Sequence, residues 1–182
     1  YAFFPTFPGG TTANPRGQGD FEVDYQDTRA DFERIMQKYK PVVIICYGMG
    51  QGPWEIEQNA VVRTQWHNDY LPPTQPDTSY LQKLLPAGVV HSTLPTDAIA
   101  AAINNAEIGV KAWVDKQGDP GDFLCNYIAC LAMAYQARRN DPSSPDYCAA
   151  AGFIHLGANV SLDQAQQAQY ITLKTILVSL KK

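Results

Sequence analysis

Apolar residues recur along the chain in a few distinct patterns, and each pattern predicts an element. Across residues 28–40, Phe32, Ile35, Met36 and Tyr39 return at three- and four-residue steps, which predicts an amphipathic helix. Pro41 ends it, since proline lacks the N–H a helix needs. Val42-Val43-Ile44-Ile45-Cys46-Tyr47 is apolar on both faces and predicts a strand buried in a mixed or parallel sheet. Gly48, Gly50 and Gly52 predict a turn after it. Residues 56–62 and 110–114 predict further strands, with another at Val89-Val90-His91-Ser92. Residues 65–86 are polar and proline-rich and predict an irregular stretch.

Residues 96–104 are alanine-rich and predict a helix just after Ser92-Thr93-Leu94-Pro95. Gly118-Asp119-Pro120-Gly121 predicts a turn, and a helix starts at Asp122 with Leu124, Ile128, Leu131 and Tyr135 on one face. Gly152-Phe153-Ile154-His155-Leu156 predicts a short strand. Ser161 and Gln164 form a capping-box pair at the start of the last helix, expected to turn Tyr170, Leu173, Leu177 and Leu180 inward. Strand and helix alternate throughout, so the expected class is α/β, with helices on both faces of a largely parallel sheet. Active groups in such sheets collect in loops at the carboxyl ends of strands. With no repeat or linker in view, residues 1–182 read as a single domain.

Composition narrows the functions. At 182 residues the chain suits one domain with a sizeable core, and 45% apolar with 18% charged residues argues against disorder. The formal net charge of −4 and the lack of a basic run disfavour nucleic acid and anionic membrane surfaces as partners. Neither a membrane-length apolar stretch nor an opening secretory h-region is visible. Cys46, Cys125, Cys130 and Cys148 lie in dissimilar settings without C-x-x-C spacing or a histidine at metal spacing. A reduced, cytoplasmic thiol set is expected, with no metal and no cofactor.

Cys125 is the thiol best placed for chemistry. It falls in the first turn of a helix, where unpaired N–H groups and the helix dipole favour a thiolate. The alternative is a small buried hydrophobe, as for many cysteines. His155 ends an apolar strand, where a general base would project into a cleft; His67 and His91 compete for that role. Glu57, on a strand among apolar neighbours, needs a partner such as an imidazole, though Glu55 or Asp69 would serve the pattern equally. Nucleophile, base and orienting carboxylate would then complete a triad.

These residues sit in recognisable surroundings. Gly121-Asp122-Phe123-Leu124-Cys125-Asn126-Tyr127-Ile128 resembles the motif around the catalytic cysteine of the pyroglutamyl peptidase I (pyrrolidone-carboxylate peptidase) family. Phe153-Ile154-His155 is similar to its histidine motif, and Ile56-Glu57-Gln58-Asn59-Ala60-Val61 to the segment carrying its glutamate. Ser92-Thr93-Leu94-Pro95, Phe4-Pro5-Thr6-Phe7-Pro8-Gly9-Gly10 and Asn14-Pro15 match further landmarks in the right order. The resemblance implies a three-layer α/β/α sandwich around a mixed, largely parallel sheet. It also implies a cytosolic cysteine peptidase that removes N-terminal pyroglutamate from peptides and assembles as a homodimer or homotetramer. By that match Cys125 is the nucleophile, His155 the base and Glu57 its orienter. The backbone N–H of Cys125 is a candidate oxyanion donor. Phe4 and Phe7 would wall a lactam pocket, Asn14 would hydrogen-bond the loop or the lactam, and Met49 would border the substrate.

Several positions depart from the family pattern. Met49 replaces a polar residue that contacts substrate, and the usual arginine downstream of the glutamate is absent, with His67 and Arg63 nearby. Leu156-Gly157 replaces Val-Pro, and the region between Asn14-Pro15 and Glu22-Val23 is short. These changes gather around the pocket, so the alternatives are a divergent cysteine amidohydrolase acting on another peptide or small amide, and a binding protein that keeps the fold.

Overall fold

The structure, a computed structural model, describes residues 22–181; Phe4, Phe7 and Asn14 lie outside that range. Helix α1 (Tyr25–Tyr39) opens where the Asp24 carboxylate accepts the N–H groups of Gln26 and Asp27, and it closes at Lys40 in the left-handed region. Strand β1 (Val43–Gly50) continues through Gly48 and Gly50, so the expected turn starts later than the glycines suggest. The strand expected over 56–62 is two strands, β2 (Trp54–Glu57) and β3 (Asn59–Val61). Gln58 explains the break. Its N–H donates to the Asp115 carbonyl while its own carbonyl accepts from Ser92, so the chain leaves one sheet for another at that residue.

Helix α2 (Thr78–Leu84) lies inside the stretch expected to be irregular, started by the Asp77 carboxylate on the Tyr80 N–H. Strand β4 (Val89–His91), helix α3 (Thr96–Asn105), strand β5 (Ala112–Asp115), helix α4 (Leu124–Ala137), strand β6 (Ala150–Gly157) and helix α5 (Leu162–Ser179) follow. The capping box at Ser161 and Gln164 forms with both of its bonds.

Four strands form one sheet in the order β1-β6-β2-β5, and β3 pairs with β4 in a second, two-stranded antiparallel sheet. In the larger sheet β1 and β6 are parallel, β2 and β5 are parallel, and β2 runs antiparallel to β6. The class is therefore α/β with a mixed, mostly parallel sheet. One core joins α1, α2 and α4 to the sheet through Phe32, Ile44, Tyr127, Leu131 and Phe153. The other joins α3 and α5 to the opposite face through Trp54, Ile56, Ile99, Ile154 and Ile176. Strand β6 is covered on both faces, as its near-continuous apolar run requires.

Helix α5 is turned differently from expectation. Ala168, Thr172 and Ile176 face inward, while Tyr170, Leu177 and Leu180 are exposed. Small side chains at two of these three inward positions suit the packing of α5 against α3, and the larger apolar residues are left outside. Among the described residues, no helix is long and apolar enough to cross a membrane.

Candidate active site

Cys125 is the second residue of α4. Before it, Gly121 adopts φ +94°, a backbone conformation that favours glycine, and the chain turns into the helix. Arg63 secures that turn. Its guanidinium donates to both carboxylate oxygens of Asp119, at 2.6 and 2.8 Å, and to the Gly121 carbonyl at 2.8 Å. No side chain caps α4 at Phe123, so the first-turn N–H groups beside Cys125 keep their donor capacity. Asn126, fully buried, accepts from the Val61 N–H at 3.0 Å and donates to the Val61 carbonyl at 2.8 Å, tying the helix start to β3.

Strand register brings the remaining groups to this helix. Gly48 lies beside His155, and Glu57 lies opposite Phe153, one step along the same face of the sheet. From there the Glu57 carboxylate meets His155 Nδ1 at 2.7 Å. The Cys125 thiol lies close to the same imidazole: a Cβ on Gly48 would stand 3.6 Å from His155 Cδ2 as well as against Cys125 Sγ. Phe153 packs edge-on against the imidazole, with ring centroids 4.8 Å apart.

Two glycines make this arrangement sterically possible. A Cβ on Gly48 would stand 2.6 Å from Cys125 Sγ, and one on Gly50 would stand 2.6 Å from His155 Cβ. Sequence reasoning treated both as turn residues and missed this role; their alternate spacing along a strand, Gly48 then Gly50, was the available signal.

The electrostatics couple imidazole and neighbours. Burial opposes a charge on His155, but the hydrogen bonds to Cys125 and Glu57 and their charges outweigh it, and its pKa is pushed up to about 9. Burial raises the Glu57 carboxyl above its ordinary value, against the lowering effect of His155. Burial also pushes the thiols of Cys46 and Cys130 up to about 12 and that of Cys148 to about 11, which suits inert core cysteines. All four cysteines are free.

The competing candidates are engaged elsewhere. His91 Nδ1 meets Asn59 Oδ1 at 2.8 Å, and the His67 ring packs against Phe123. Asp69 accepts from the Tyr25 N–H at 2.9 Å. Glu55 stays close: Glu55, Glu57 and His155 each bring one potential ligand atom to within 4.8 Å of the others, a grouping that could hold a metal ion. Beside Cys125 opens a cavity of about 630 Å³, lined chiefly by apolar groups including Ile45, Cys46, Tyr47, Met49, Phe123 and Phe153. Met49 borders it but is 78% exposed and projects from the face of β1 opposite to Gly48.

The model of the pyroglutamyl peptidase family matches residues 20–181, nearly the whole chain. The chain belongs to that family. It is accordingly a cysteine-type peptidase. Solved structures with the same fold include a mutant pyrrolidone carboxyl peptidase from the hyperthermophile Pyrococcus furiosus, at 18% identity and a TM-score of 0.69, covering 96% of this chain and 88% of that one. The pyrrolidone carboxyl peptidase of Thermococcus litoralis gives 20% identity and a TM-score of 0.69, covering 88% and 76%. Pyroglutamyl peptidase I from Bacillus amyloliquefaciens gives 20% and 0.64, covering 85% and 75%. A search of curated proteins returns no match.

Proposed function

We propose that the protein removes N-terminal pyroglutamate from peptides, with Cys125 as nucleophile, His155 as general base and acid, and Glu57 as the group that orients His155. The observation that carries this reading is the 2.7 Å contact between Glu57 and His155 Nδ1, with the Cys125 thiol close to the same ring and lining an apolar cavity. Family membership supplies the substrate class.

In this mechanism Cys125 and His155 share one proton, which the raised pKa of His155 keeps on the imidazole, and the Cys125 sulfur attacks the carbonyl carbon attached to the lactam ring. The carbonyl oxygen becomes an oxyanion, and the uncapped first-turn N–H groups of α4 are suited to receive it. His155 then gives its proton to the departing amine, the C–N bond breaks, and a thioester to Cys125 remains. A pKa near 9 keeps the imidazolium available for that donation at neutral pH. Water, deprotonated by His155, cleaves the thioester, releasing pyroglutamate and restoring the thiol. Pyroglutamate carries no ammonium group, so an apolar cavity suits it better than a charged one.

The test is release of an amine reporter from a pyroglutamyl conjugate, abolished in Cys125→Ser. Full turnover by the serine variant at neutral pH would overturn the assignment. A second reading keeps the same three residues but changes the acyl group. It is favoured by Arg63, which is committed to Asp119 and Gly121, and by Met49 at the cavity's border. Rapid alkylation of Cys125 without cleavage of pyroglutamyl conjugates would select it.

A further inference from the structure

The register of the larger sheet sets four residues in one line across it. Gly48 pairs with His155, His155 with Glu55, and Glu55 with Trp113. Cross-strand partners share a face and lie about 5 Å apart. The imidazole therefore divides the line into two sides. On the β1 side lies the apolar cavity beside Cys125. On the β2 and β5 side stand Glu55 and Trp113. For an acyl group held in the cavity, the line across the imidazole leads on to Glu55 and Trp113, and the departing amine would lie along it.

The chemistry of that second side is different. Trp113 is 45% exposed, although it is a large apolar side chain on a strand. Glu55 is half-buried and lies next to it. Gly52 keeps a space open where the two meet: a Cβ there would stand 3.1 Å from Trp113 Nε1 and 3.8 Å from Glu55 Oε2. Glu57, 1% exposed, adds a buried carboxylate whose Oε2 has no hydrogen-bond partner. Two carboxylates thus face one imidazole. Lys116, just beyond β5, is already paired with Asp97 at 2.8 Å. A carboxylate beside an exposed indole is suited to a cation, through charge attraction and the negative face of the ring.

We propose that Glu55 and Trp113 form a subsite for a positively charged side chain on the residue that follows the scissile bond. This rests on the proposed role of Cys125 and deepens it, making the protein selective for lysine- or arginine-bearing leaving groups. Glu55 here is a specificity residue and takes no part in bond cleavage.

The test compares pyroglutamyl-lysine and pyroglutamyl-norleucine amides, which differ mainly by the terminal ammonium. The expected kcat/KM ratio is about tenfold in favour of lysine. It falls toward one in Glu55→Gln, falls in part in Trp113→Ala, and is retained in Trp113→Phe. A ratio within about twofold of unity in the unaltered protein, or one unchanged in Glu55→Gln, overturns the subsite. A second arm needs no peptide cleavage. Cys125 is labelled with a trimethylammonium-ethyl and with a neutral methyl methanethiosulfonate, and each rate is normalised to free cysteine and followed by mass spectrometry of the Cys125 peptide. A cation preference that Glu55→Gln removes supports the subsite even if pyroglutamyl peptides are not cleaved, in which case the substrate reading alone fails. Cleavage of pyroglutamyl peptides with no cation preference in either arm overturns the subsite alone.

Discussion

Along β6, Ala151, Phe153 and His155 point toward α4, while Ala150, Gly152 and Ile154 point toward α3 and α5. The α3/α5 side is filled. Ile154 packs with Trp54, Ile56 and Ile176, and Gly152 leaves room for Leu94 and Ser92, which a Cβ there would approach to 2.5 and 2.4 Å. The α4 side is hollowed at the end of the same strand. Gly48 and Gly50 clear space for a thiol and an imidazole, and Glu57 is buried there because His155 answers its charge. The sheet thus uses glycine on both faces: Gly152 of β6 for tight packing on one, and Gly48 and Gly50 of β1 to admit a thiol and an imidazole on the other. Changes on the two faces should separate stability from activity.

The largest expected effect is on the α4 side. Cys125→Ser should lower kcat/KM on a pyroglutamyl reporter by about a thousandfold or more, with the thermal midpoint little changed. On the other side, Ile154→Ala should cost about 2–5 kcal/mol in denaturant unfolding, while the fraction still folded keeps its Cys125 alkylation rate. Gly48→Ala should cost about a hundredfold in kcat/KM by displacing the sulfur, whereas Gly152→Ala should cost about 1–3 kcal/mol of stability and less activity. If both glycine variants lose stability and activity in equal proportion, the contrast between the faces fails.

Glu57→Gln sharpens the comparison through pH. The His155 pKa is raised from 6.5 to about 9, so its stabilisation is fully present below about 6.5 and is lost as pH rises through about 9. Removing the Glu57 charge should move the His155 titration, followed by ring-proton NMR, downward from about 9, and part of that stabilisation should go with it. The smallest effect belongs to Arg63→Ala. Its ion pair with Asp119 is partly exposed, so the expected loss is about 1 kcal/mol or less, read as a small drop in the thermal midpoint.

Much of this was legible in the sequence, for local reasons. The apolar runs that became β1 and β6 are long enough to reveal strands covered on both faces, and the Ser161–Gln164 pair announced its helix. The place of Cys125 in the first turn of a helix was readable from the glycine turn before it. What escaped depended on partners distant in sequence. Nothing local separates Glu57 from Glu55 or Asp69; the side-chain contact does, since Glu57 reaches Nδ1 although Glu55 is the residue directly opposite His155. Gly48 and Gly50 resemble turn residues until a thiol and an imidazole stand against them. On α5, apolar size pointed to the wrong face, because close helix packing takes in small residues. Helix α2 hid among prolines, with Asp77 as its start signal.

The side-chain amide of Asn126 holds both backbone groups of Val61, as a neighbouring strand would. The residue after Cys125 is thereby fastened four residues beyond the end of the strand that carries Glu57. The Val61 amide should consequently act as a slow clock: its deuterium uptake reports how often helix and strand part company, and with it how long the site stays assembled between openings.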